Sequence, residues 1–396
     1  MVQSTRAGAA YGFSMLGFVV AANLLKYPFF EYGSRYASVT GRHLIEGYAR
    51  LGRPVLYGYF AITLCTMFFV TAAVTAVTAG FFENILATGL GAVHPALPAL
   101  VLLGICTAVL IPGSFRVLDV LIKVIATALL VSTVVAFAVA LVRGPVAADA
   151  SMWSTEALRP SAWPFIIALM GWMPTAVDLS TWNSLWTLER IRSSHFKPTL
   201  RETLREFDIG YAVSAGLSVC FLTLGALLLY GTDRTLPDGS AGFAAGVLQL
   251  YTETIGAWSF PLMAVAGFSV MLGTSFGVLD GYARSAAAAM ETLRTGANHV
   301  RTYRVWLLIT ALGAGVVLGL LSESLRTLVD LATTLSFLVA PFIAILNHHL
   351  VTRRDFPARG RPALLMRALG VSGILFLTAF AVGFVLFRLG VWTGGT

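Results

Sequence analysis

Apolar residues run along this chain in long stretches, separated by short clusters that hold most of the charges. A helix needs about 20 apolar residues to cross a hydrocarbon core at a rise of ~1.5 Å each. On that measure the pattern predicts spans near 13–33, 54–82, 97–113, 116–142, 162–188, 207–230, 257–283, 304–321, 326–348 and 367–390. The first run continues through Tyr27, Phe29 and Phe30, too far for the apolar region of a secretory signal.

Basic residues fall mainly on alternate loops. Arg35, Arg42, Arg50 and Arg53, then Arg116, then Arg190 through Arg205, Arg284 through Arg304 and Arg353 through Arg367 all occupy one side. Arg6, Arg143, Arg159, Arg234, Arg326 and Arg388 occupy the other, and Lys26 and Lys123 stand inside spans. Because cytoplasmic loops retain Lys and Arg, the richer side is expected to be cytoplasmic. The span at 13–33 then runs inward from outside, so residues 1–10 read as the remnant of a preceding helix. Counting it gives eleven spans, with spans one to five and six to ten in opposite topologies. The expected fold is an all-α, polytopic membrane protein with an inverted five-helix repeat of the LeuT-like kind, a truncated first helix and an extra eleventh. Repeat one covers about 1–143 and repeat two about 160–348, and 349–396 form a cytoplasmic loop and the last span.

Composition agrees. The 396 residues are 57% hydrophobic and 12% charged, against about 25% charged in ordinary soluble domains. The net charge of +8 is a record of topology and does not call for a nucleic-acid partner. Cys65, Cys106 and Cys220 lie in apolar runs without CxxC spacing, as small buried hydrophobes.

The sixth span carries a break signal, Met170-Gly171-Trp172-Met173-Pro174-Thr175-Ala176-Val177-Asp178. Proline removes a backbone donor inside a helix, and the freed carbonyls of Met170 and Gly171 become possible cation ligands where they line a cavity. An ordinary proline kink is the plainer alternative. Most intramembrane acids have a basic residue one helical turn away: Glu31 with Arg35, Asp119 with Lys123, Asp280 with Arg284 and Asp330 with Arg326. Asp178 and Lys26 are left over, and ionisable groups in a membrane are functional hypotheses by default. Either Asp178 attracts a cation or relays a proton, or the two form an interhelical ion pair.

Several motifs together resemble the natural resistance-associated macrophage protein (Nramp) family of divalent-metal transporters. They are Arg6-Ala7-Gly8 with Tyr11-Gly12, Val39-Thr40-Gly41, Met173-Pro174 and Ala340-Pro341-Phe342. The resemblance is to a divergent bacterial branch and spans most of the chain. It implies that Met173 is a metal-binding thioether, that Thr175 stands where the family usually has histidine, and that Thr333 lies near a polar cation contact. The family's Asp-Pro-Gly-Asn break falls upstream of Met1, and its helix-three acids are unmatched at Phe68, Thr71 and Thr75, which puts familiar proton coupling in doubt. Thr333, Thr334, Ser336, Thr274 and Ser275 equally suit helix packing, and His348 and His349 suit the interface beside Arg353 and Arg354.

The expected function is secondary transport of a divalent metal cation by alternating access. A thioether favours a manganese- or iron-like ion over magnesium or calcium. The implied metal contacts are Met173, Met170, Gly171, Thr175, Asp178 and Thr333. An ion-coupled organic-solute symporter of the same fold, or a magnesium-type transporter without proton coupling, remains open. No HExxH or P-loop motif occurs, and the GxSxG string at Gly273–Gly277 lies inside a predicted apolar span and forms no strand-to-helix elbow; His43, His94, His195 and His299 fall in loops, so an enzyme is not expected. The metal is cargo and no resident cofactor is implied. The expected partners are the cation and the lipid bilayer of the cell membrane, and the oligomeric state stays open.

Overall fold

The computed structural model describes residues 2–86, 96–111, 127, 130–131, 133–147, 151–232, 240–293, 299–321 and 324–389. Fourteen α-helices are described: α1 Val2–Tyr11, α2 Leu16–Thr40, α3 Leu44–Leu51, α4 Arg53–Leu86, α5 Ala96–Leu110, α6 Thr133–Arg143, α7 Trp163–Trp172, α8 Ser180–Ser194, α9 Leu200–Leu228, α10 Ser240–Ile255, α11 Ser259–Leu293, α12 His299–Leu321, α13 Leu325–Thr352 and α14 Leu364–Arg388. Eight stretches are long and apolar enough to cross a membrane, with α7 and α8 counted together as one, Pro160–Ser194. These eight correspond to predicted spans. The span at 97–113 appears as the shorter α5, and of the span at 116–142 the described part is chiefly α6, so the expected pair Asp119–Lys123 lies outside the described residues.

Local chemistry sets the helix ends. Gly41, in left-handed conformation at φ 67°, closes α2 by donating its N–H to Ala37. His43 caps α3, its Nδ1 accepting the Glu46 N–H at 3.3 Å, and burial holds this imidazole down to about 4, so the ring is neutral and free to accept. Thr199 and Glu202 form a reciprocal capping box at the start of α9. Two helices escape an apolar-run reading. α3 is amphipathic and short, and α10 mixes Gln249 and Glu253 with Phe243, Val247, Leu248 and Tyr251, which are buried largely against α4.

The core has two parts. α4, α5, α10, α11 and α12 share one apolar cluster, and α2, α7, α13 and α14 dominate the other. The broken seventh and eighth helices touch both. α1 is pressed into α9: a Cβ on Gly8 would lie 1.9 Å from the Leu222 carbonyl, and one on Gly225 would lie 2.2 Å from the Thr5 carbonyl. Such backbone contact is the small-residue packing that membrane helices use in place of a hydrophobic drive. It also fixes where α1 points Ser4 and Arg6.

Candidate cation site

α7 stops at Trp172, and Met173 through Ala176 leave helical geometry before a short 3-10 turn, Val177–Leu179, leads into α8. Pro174 supplies the cause, since it has no N–H for the turn behind it. Gly171 supplies the position: a Cβ there would meet the Thr333 carbonyl at 2.6 Å and the Phe337 Cβ at 2.9 Å, so the end of α7 lies directly against α13.

Lys26 meets this break. It is completely buried in the middle of α2, and its ammonium donates to the carbonyl of Gly171 at 2.9 Å and to that of Thr175 at 3.3 Å. Of the two readings left open for Lys26 and Asp178, the direct ion pair is not the one formed, and the ammonium bonds to backbone carbonyls instead. No nitrogen–oxygen approach within 4.0 Å joins Lys26 to Asp178, although the Asp178 carboxylate lies near enough to attract the ammonium. The physical reason is proximity. Breaking the helix aims two unsatisfied carbonyls at one point, and a single ammonium satisfies both.

Asp178 is 4% exposed. Its Oδ2 accepts from the Thr66 hydroxyl of α4 at 3.2 Å. Its Oδ1 has no hydrogen-bond partner, and the Tyr282 hydroxyl of α11 faces the same carboxylate without closing on it. The other buried acids are satisfied. Glu31 accepts from Arg35 Nε at 2.9 Å, and Asp280 accepts from Arg284 Nε at 2.7 Å and from Trp186 and Tyr303. Asp330 pairs with Arg6 of α1 at 3.1 Å, a partner that sequence spacing could not suggest. The side chain of its expected partner, Arg326, lies outside the described residues.

The remaining predicted contacts divide. The Met173 sulfur faces α1, accepting from the Ser4 hydroxyl at 3.9 Å. Gly171 and Thr175 converge on Lys26. Met170 is buried in the apolar cluster of α2, α7 and α13. The Thr333 hydroxyl donates to the carbonyl of Asp330 in its own helix at 3.0 Å, and its contribution to the break is the carbonyl packed on Gly171. Ser336 is buried without a hydrogen-bond partner, Ser275 pairs with Thr78 at 2.8 Å, and Thr274 is exposed. Among the described residues no group of three His, Cys, Asp or Glu could hold a metal. Any cation here would rely on the thioether, freed carbonyls and one carboxylate.

A cavity of about 730 Å³ between α2, α8 and α9 reaches from Arg190, Pro198 and Glu206 at the loop end to Pro174 and Thr175 at the break. The site therefore has a path to water on the side rich in Arg.

Comparison with known proteins decides the family. A family description, natural resistance-associated macrophage protein-like, matches residues 1–387. The chain belongs to the Nramp-like family. With that membership it stands among membrane metal-ion transporters and not among enzymes. It is 31% identical over 400 residues to an uncharacterised protein of Pasteurella multocida (strain Pm70), covering 98% of this chain and 89% of that one. Its fold is similar to that of a single-residue mutant of the Eremococcus coleocola manganese transporter, with a TM-score of 0.71 at 13% identity over 100% of this chain and 84% of that one. The same transporter in complex with an aromatic bis-isothiourea substituted compound gives 0.66, also at 13% identity, over 100% and 85%.

Two contributors were not singled out by sequence. Thr66 is one of several threonines on α4 and had no distinguishing mark. Asn347 did have one, an amide inside the apolar run of α13. Its Nδ2 donates to Ser180 Oγ at 2.7 Å and to the Phe29 carbonyl at 3.2 Å, while its Oδ1 accepts from Tyr48. It thereby ties the start of α8 to α2, α3 and α13. Asn347→Ala is expected to leave the Ser180 and Tyr48 hydroxyls without this partner and to cost about 1–3 kcal/mol, read as a lower thermal unfolding midpoint in detergent. An unchanged midpoint would show the amide to be dispensable.

Proposed function

We propose that this Nramp-like protein moves divalent metal cations of the manganese or iron type across the cell membrane by alternating access. The observation that carries the reading is the unpartnered Oδ1 of Asp178, a buried carboxylate oxygen beside a broken helix. Leaving such an oxygen unpaired is costly unless a donor or a cation reaches it, and a cation is the partner that balances its charge as well. Inverted-repeat transporters place their substrate at breaks of this kind, where unwound carbonyls supply further ligands. The relatives add support, since the Eremococcus protein of the same fold is described as a manganese transporter.

The Arg-rich loops are placed in the cytoplasm by the positive-inside rule. The cavity ending at Pro174 and Thr175 is then the inward-facing vestibule. Met173 provides the soft ligand that separates transition metals from magnesium and calcium.

The test is uptake by proteoliposomes of the purified chain. Manganese is expected to enter, with excess magnesium a poor competitor. Met173→Ala should weaken manganese uptake about tenfold while changing the affinity for magnesium little, so that excess magnesium becomes a stronger competitor, because only the soft ion loses a matched ligand. Equal losses for both ions would remove the thioether from the selectivity argument.

A further inference from the structure

The bonds of Lys26 put a positive charge on the carbonyls that a transported cation would use. The ammonium is fully buried, 2.9 Å from the Gly171 oxygen and 3.3 Å from that of Thr175. Those two residues flank Met173, so the carbonyl ligands and the thioether belong to one segment of five residues. We infer that Lys26 is a tethered occupant of the cation position, a built-in competitor that a divalent ion must displace from the Gly171 and Thr175 carbonyls. This rests on the cation-transport reading above and assigns a role to a residue that neither the family match nor the relatives single out.

Electrostatics makes the two occupants exclusive. A dication within about 4 Å of a fixed ammonium is repelled with twice the force of a monovalent ion, in a place where little water screens it. The Asp178 carboxylate offsets part of this, and the other described acids on the neighbouring elements are engaged elsewhere. Glu31 is committed to Arg35, Asp208 of α9 accepts from Tyr27, and Asp330 is committed to Arg6. The packing role of the side chain is separable from its charge, because glutamine can still donate to a carbonyl while carrying none. The substitutions therefore divide competitor from clip. A clip holding the broken ends together would be weakened by losing the charge-assisted bonds, and cation binding would suffer with it. A competitor would, on removal, surrender its carbonyls to the ion.

Manganese binding to the purified full chain in detergent, measured by titration calorimetry, distinguishes them. Lys26→Gln is expected to lower the apparent Kd at least about tenfold, and Lys26→Arg, which keeps the charge, to leave it near that of the original protein. Should the glutamine variant fail to fold, Lys26→Met keeps the length of the stem and is expected to gain affinity likewise. An affinity unchanged or weakened by removing the charge overturns the inference while leaving manganese transport standing. Absence of manganese binding in the original protein and in every variant overturns both.

Discussion

Gly171→Val is expected to yield little correctly folded protein. The first atom of the new side chain would lie 2.6 Å from the Thr333 carbonyl oxygen and 2.9 Å from the Phe337 Cβ. Neither is the free end of a flexible chain, so α7 and α13 would have to separate. Overpacking of this kind costs about 1–3 kcal/mol. Separation would also move the Gly171 carbonyl off Lys26, forfeiting a charge-assisted bond worth about 1.5–3 kcal/mol. Together these approach the whole stability of a marginal protein, about 5–15 kcal/mol. The check is the monodisperse fraction in detergent chromatography and the thermal midpoint. Gly277→Val, on α11 where an added Cβ meets nothing within 4 Å, serves as the comparison and should behave like the original. A normal elution profile for the Gly171 variant would show that α7 is not held where this packing puts it.

The features most legible in the sequence were those written in composition over long windows. Spans of about 20 apolar residues leave few choices of structure in a membrane, because every backbone group must be satisfied internally. The break was equally readable, since Pro174 beside Gly171 removes a donor and loosens a turn wherever the helix packs. What could not be read was direction. Spacing along one helix pairs Asp280 with Arg284 correctly, but Asp330 finds Arg6 from a helix more than 300 positions away. Lys26 is the same lesson with a larger consequence. Its burial was foreseeable and its nearest unsatisfied partners were not, because freed carbonyls carry no mark in a sequence. α10 was lost for the opposite reason: its polar residues are exposed on one face, and a window that averages over both faces hides the apolar one.

Asp178→Asn is expected to reduce manganese uptake by at least about tenfold. At an effective dielectric constant near 20, a unit charge about 4 Å from a dication is worth roughly 8 kcal/mol of direct attraction, much of it offset by the dehydration of the ion. A remainder of only about 1.4 kcal/mol already corresponds to tenfold. Asparagine is close in shape and keeps an acceptor for the Thr66 hydroxyl, now at 3.2 Å from Oδ2, so packing around α4 and α11 should persist. The expected structural cost comes from Lys26, whose buried ammonium loses the charge that acts on it and retains only carbonyls. Asp178→Asn alone should therefore lower the thermal midpoint, and Lys26→Gln combined with it should recover much of that loss, since two neutral groups replace two charges. Uptake should stay at least about tenfold below that of Lys26→Gln alone, because stability returns without the carboxylate. Uptake equal to that of Lys26→Gln alone would mean that Asp178 serves only to balance Lys26, and the orphaned oxygen would then have no part in holding the ion.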